Sequence, residues 1–158
     1  MAYWLVKTEP GTYSWGDLIR DGVTSWEGVR NYQARNLMRD EMKRGELVLV
    51  YHSVVVPQVV AGVARVRREA YPDHFARDPQ SPYFDAKASA EDPRWVMVDL
   101  EPTRAFEPPI TRDELKECPE LADMMLLRRG SRLSVQPVTK QEWERILALR
   151  GVDPAELE

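Results

Sequence analysis

Glu46–Tyr51 (ELVLVY) and Val59–Val66 (VVAGVARV) are two dense runs of β-branched and aliphatic residues, joined by a connection, His52–Gln58, that Pro57 punctuates. Both read as strands, and Gly62 stands where a barrel strand bends or bulges. Upstream, Tyr32–Lys43 suits a helix that Gly45 terminates, with Lys43 and Arg44 at the negative end of its dipole. Further back, Tyr3–Lys7 reads as a first strand closed by the turn residues Glu9, Pro10 and Gly11. A short helix follows it: Ser14 and Asp17 form the capping pattern, Leu18 and Ile19 supply the apolar side, and Asp21–Gly22 is the stop.

Downstream, Tyr71–Arg94 carries Pro72, Pro79, Pro82 and Pro93 without periodicity and reads as a long loop, of the kind that forms the wall of a site. Trp95–Ala105 is a strand, with Val96, Val98 and Leu100 on one face and Trp95, Met97 and Asp99 on the other. Thr111 with Glu114, and Thr139 with Glu142, spell T-x-x-E capping boxes that open two more helices. Leu121–Leu127 reads as helical, Arg132–Pro137 (RLSVQP) as a short strand, and Arg150–Glu158 as a loose polar tail. The pattern predicts one mixed α+β domain over residues 1–149, followed by that tail at 150–158. Spacing alone leaves open whether the strands close into a barrel.

The chain has 158 residues, 43% of them hydrophobic and 30% charged, enough for one core. No apolar run approaches the roughly 20 residues that cross a bilayer, so no membrane role is expected. The N-terminus shows no signal-peptide pattern. A single cysteine, Cys118, excludes an internal disulfide or a CxxC zinc or redox site, which fits a reducing, cytoplasmic setting. The net charge of −4 argues against indiscriminate binding along a nucleic-acid backbone, an affinity that comes from counterions displaced by Lys and Arg. Any such contact must be local. The cations cluster as Arg30, Arg35, Arg39, Lys43 and Arg44, as Arg65, Arg67 and Arg68, and as Arg128, Arg129 and Arg132, and each cluster is equally readable as a solvated face.

Enzyme chemistry finds little support. Of the two histidines, His52 and His74, only His52 neighbours a nucleophile, Ser53, and adjacent residues of an extended segment point apart. Zinc would need three or four ligands, and neither a GxGxxG nor a GxxxxGK[ST] phosphate cradle is present. No catalytic residue, cofactor or metal is expected. Trp26–Asn36 (WEGVRNYQARN) stands apart instead, with Trp26 outside any periodic element. A pocket for a flat base needs an aromatic face for stacking, worth roughly 1–3 kcal/mol, and a polar group to read the edge. Trp26 and Asn31 supply both, with Arg30 or Arg35 available to a phosphate. Asn31 is equally suited to cap the helix that follows.

Taken in order, YWLVKTEP (Tyr3–Pro10), WEGVRNYQARN, YHS (Tyr51–Ser53), EAYPD (Glu69–Asp73), PRW (Pro93–Trp95) and RLSVQPV (Arg132–Val138) closely resemble the EVE domain family over nearly all of residues 1–149. The resemblance implies a PUA-like fold, a β-barrel of about five to six strands flanked by short helices, related to the YTH readers of methylated adenine. It implies a non-enzymatic domain whose partner is DNA or RNA carrying a modified base, for example a modified cytosine; separately, a monomer is expected. The family pocket maps onto Lys7, Thr8 and Glu9, onto Trp26, Val29, Arg30, Asn31 and Tyr32, onto His52 and Ser53, and onto Ser134, Val135 and Gln136. Trp95 is a further wall, and Arg30, Arg35 and Arg39 would meet the backbone. Two departures stand out: Thr8 where the family more often has Ser, and Ala86 where proline is common. The alternatives are an RNA-binding accessory domain that ignores modification, and a base or nucleotide hydrolase with His52 as general base.

Overall fold

A computed structural model describes residues 1–158. Leu47–His52 (β3) and Val59–Pro72 (β4) form an antiparallel pair. Tyr3–Thr8 (β1) lies parallel to β3 on its other side. Gly62 does mark the bend: the register of β4 against Val96–Thr111 (β5) shifts between Val60 and Gly62. A Cβ at Gly62 would lie 2.6 Å from the Trp15 ring and 2.7 Å from the Arg104 carbonyl, so only glycine lets these layers meet.

Thr24–Trp26 (β2) and Val135–Val138 (β6) complete a six-stranded mixed sheet in the order β2-β5-β4-β3-β1-β6. The α+β class expected from the sequence is the one observed. The barrel implied by the resemblance is not closed, because β2 and β6 remain the two edges of the ladder. β2 spans only three residues before the chain leaves the sheet. It is also a strand that the sequence reading missed.

Alternation in β1 and β3 explains how the sheet is covered. Leu5, Leu47, Leu49 and Tyr51 enter one core with Phe106, Ile110, Leu115 and Trp143, while Val6, Val48 and Val50 enter a second with Leu18, Ala34, Met38 and Trp26. Trp15–Asp21 (α1) and Tyr32–Asp40 (α2) supply the helical residues of the second core. Arg112–Lys116 (α3) and Lys140–Ala148 (α4) supply those of the first. Each Leu or Val buried at this level contributes about 1.5–3 kcal/mol. The boxes at Ser14, Thr111 and Thr139 all form, with side chain and backbone bonded reciprocally.

Four expectations need correction. α2 ends at Asp40, ahead of Lys43 and Gly45. Leu121–Leu127 is not one helix but two short 3₁₀ turns, Pro119–Leu121 and Met125–Leu127. The long loop begins later than Tyr71, since β4 runs to Pro72 and a 3₁₀ turn follows at His74–Arg77. The C-terminal segment is not loose: Val152 and Leu157 are buried in the first core, and Asp153 caps a final turn at Pro154–Leu157. Two apolar side chains among polar neighbours were enough to dock it. No helix is long and apolar enough to cross a membrane.

Candidate nucleic-acid base site

A cleft of about 410 Å³ opens beside the two sheet edges. Small-molecule pockets run from roughly 300 to 1,000 Å³. The end of β1 gives it Lys7, Thr8 and Glu9, the edge strand β2 and the turn after it give Thr24 to Arg30, and Ser134 leads into β6. The cleft therefore draws on both of the edges that a closed barrel would join.

Trp26 is 8% exposed and forms the floor, with Tyr13 standing edge-on to it at a centroid separation of 6.1 Å. The other aromatic wall is Tyr83, which comes from the long loop. Gly28 has φ +80°, and a Cβ there would lie 2.6 Å from the Tyr83 ring, so the glycine both permits the turn and makes room for the tyrosine. Polar groups in the same walls include Ser25, whose hydroxyl donates to Glu27 Oε2 at 3.0 Å, and Ser134.

One buried carboxylate fixes this arrangement. Asp73, 1% exposed, accepts from the Gly28 amide at 3.1 Å, from Arg30 Nη1 at 3.0 Å and from the Phe75 amide at 3.0 Å. Arg30 then reaches on, donating to the Tyr83 carbonyl from Nη2 at 2.8 Å and from Nε at 3.1 Å. Its guanidinium thus ties the Gly28 turn to the Tyr83 loop. Buried charges of this kind are tolerated when they are paired and hydrogen-bonded, as these are.

The structure brings together Lys7, Thr8, Glu9, Trp26, Val29, Arg30 and Ser134 from the sequence-derived set. The remaining members lie outside the cleft walls. Asn31 Oδ1 accepts from the Ala34 amide at 3.0 Å and is the N-cap of α2, the reading the sequence had left open. Tyr32 turns away and stacks on Trp95 at 4.8 Å, beside a smaller hollow lined by Arg35, Arg39 and Arg94. His52 Nε2 accepts the Trp15 amide proton at 3.0 Å, and burial lowers its pKa. That hydrogen bond ties the imidazole to the first turn of α1. Ser53 clasps the Thr8 carbonyl through its amide at 2.9 Å. Gln136 is buried and donates to the Leu133 carbonyl at 2.8 Å, and Val135 lies in the second core.

Arg30 faces Asp73 and Tyr83, and Arg39 pairs with Asp40. Arg35 donates to the Arg94 carbonyl at 2.9 Å. Tyr13 and Tyr83 line the cleft and Asp73 braces it, and none of the three was in the sequence-derived set. The turn dipeptide Glu27–Gly28 and the EAYPD stretch were the available signals. No cluster of three or more His, Cys, Asp or Glu side chains forms a metal-holding group.

Fold and cleft define a class: a mixed-sheet domain with one aromatic-floored, polar-rimmed hollow of the dimensions that take a flat ring. The EVE domain family model matches residues 2–149. Human thymocyte nuclear protein 1 is 35% identical, the match covering 98% of this chain and 76% of that protein. Among solved structures, a Pseudomonas putida protein superposes with a TM-score of 0.91 at 45% identity, over 94% of this chain and 99% of that one. Human THYN1 protein in complex with 5-methylcytosine-containing DNA gives a TM-score of 0.89 at 36% identity, over 98% and 100% of the two chains. The chain belongs to the EVE domain family.

Proposed function

We propose that this protein is a non-enzymatic reader that takes one modified base of a nucleic acid, a modified cytosine in the first instance, into the cleft between Trp26, Tyr13 and Tyr83. The observation that carries the reading is the cleft itself: aromatic walls with a hydroxyl and carboxylate rim, held rigid by the Asp73–Arg30 clamp. The 5-methylcytosine-containing DNA bound by human THYN1 supports the choice of ligand. A flipped base stacks on an aromatic face while its edge meets fixed polar groups, and Ser25, Glu27 and Ser134 are the ones at hand.

An acidic chain can bind nucleic acid in this way because one extruded base, and not a long backbone track, supplies much of the recognition. The engagement of the His52 lone pair by the Trp15 amide supports a reader over the hydrolase alternative. The test is a titration of short oligonucleotides, with and without 5-methylcytosine, against the wild type and Trp26→Ala, with circular dichroism as the check on folding. Preferential binding of the modified strand that the variant loses is the expected result. Equal affinity in all four combinations, with the variant folded, overturns it. Equally strong competition by unmodified structured RNA would move the protein to the accessory-domain reading.

A further inference from the structure

The backbone contact expected from the sequence fell on Arg30, Arg35 and Arg39, yet the first and last of these are paired with carboxylates and Arg35 lines the other hollow, away from the cleft. On the opposite flank the cations are arranged differently. Lys7 lies beside Tyr51 in the β1–β3 ladder, and its ammonium donates to the Ser131 carbonyl at 3.4 Å. Arg112 follows the last residue of β5 at the same end of the sheet, where Thr111 pairs with Val59, and donates to the Leu126 carbonyl at 3.1 Å. Burial and the neighbouring Arg112 charge hold the Lys7 ammonium below its ordinary pKa range.

The loop that Lys7 touches carries Arg128, Arg129 and Arg132, all exposed. It turns at Gly130, φ +75°, and Gln136 steadies it by donating to Ser131 Oγ at 3.3 Å and to the Leu133 carbonyl. None of these five cations forms a salt bridge, although nine others in the chain do. Lys7 and Arg112 are close enough to repel, Arg128 is steadied by the Asp123 carbonyl at 3.3 Å, and an anion seated between the first two and the Ser131 loop relieves that repulsion. Lys7 lines the cleft as well as the ridge, and Ser134 joins the cleft wall to the Ser131 loop, so the two features are continuous.

We propose that the ridge formed by Lys7, Arg112, Arg128, Arg129 and Arg132 seats the phosphates of the strand whose base enters the cleft, and that the strand leaves over the Ser131 loop. The proposal rests on the base-reading function and assigns the path of the strand, which that function leaves open. Lys7 and Arg112 hold the phosphate next to the extruded nucleotide, and Arg129 and Arg132 hold the following ones.

The test measures affinity against salt concentration for a short single strand containing 5-methylcytosine and for its unmodified counterpart. Proteins compared are the wild type, the exposed pair Arg129→Gln/Arg132→Gln, the triple variant that adds Arg112→Gln, and Lys140→Gln as a single-charge control at the start of α4. Each phosphate left without its cation lowers the slope of log affinity against log salt by ~0.7 on a single strand. The pair should therefore lose about 1.4 in slope and the triple about 2, with affinity down about tenfold or more at low salt and the preference for the modified strand unchanged. An unchanged slope in the pair, or an equal loss per charge removed in Lys140→Gln, overturns the seat. If the wild type shows no preference for the modified strand, it is the base reading that falls, while the slopes still decide the phosphate path.

Discussion

The two halves of Trp26–Asn36 look alike in sequence, each with one aromatic and one arginine, yet they do different things. Trp26 to Arg30 folds into the cleft, pinned by Asp73 through the Gly28 amide and the Arg30 guanidinium. Asn31 onward leaves it: Asn31 caps α2, and Tyr32 stacks on Trp95 on another surface. The boundary is the helix start. An N-cap side chain commits its oxygen to an orphan amide of the helix, so the cap marks where the motif passes from cleft wall to helix.

That contrast can be broken most severely at the clamp. Asp73→Ala leaves the Arg30 charge half-buried and the Gly28 amide without its partner, and should cost about 3 kcal/mol in denaturant unfolding, along with the shape of the cleft. Next comes Gly28→Ala. A Cβ there meets the Tyr83 ring and the backbone keeps a positive φ, so the expected cost is about 2 kcal/mol in stability, together with loss of base binding. Asn31→Ala sharpens the comparison from the other side: it should lose about 1 kcal/mol of stability, seen as a lower thermal midpoint, while selectivity in an oligonucleotide titration stays as in the wild type.

The smallest effect is a pH dependence. His52 has a folded pKa below its unfolded value of about 6.5 because burial disfavours the charged ring. Below 6.5 the unfolded chain takes up the proton first, so this contribution to stability is present above that pH and declines as pH falls toward the lowered value. Urea midpoints measured from pH 7.5 to 5.5 should fall less steeply in His52→Gln than in the wild type.

What could be read from the sequence was mostly local. Capping boxes at Ser14, Thr111 and Thr139 form within four residues, and the alternation of ELVLVY shows directly in its two buried faces. β2 was not legible because a strand of three residues has no measurable period, and its pairing with Leu100, Asp99 and Val98 is set by a segment far along the chain. The docking of Val152 and Leu157 was masked by their charged neighbours. In the site, the Lys7–Glu9 turn and the Trp26–Arg30 stretch were legible from colinear motifs. Tyr83 and Asp73 were not, because their roles arise from a proline-rich loop folding back on a glycine, and no spacing rule encodes that approach. Asn31 was legible as the cap of α2, and its bond from the Ala34 amide shows that role.

The most direct test of the central claim, that the site lies with Trp26 and Tyr83 and not with Tyr32 and Trp95, is one titration of a 5-methylcytosine-containing oligonucleotide and its unmodified twin against Tyr83→Ala and Tyr32→Ala. Removing one stacking partner costs roughly 1–3 kcal/mol per base. The account predicts that Tyr83→Ala loses the preference for the modified strand and Tyr32→Ala keeps it; the reverse pattern would contradict it.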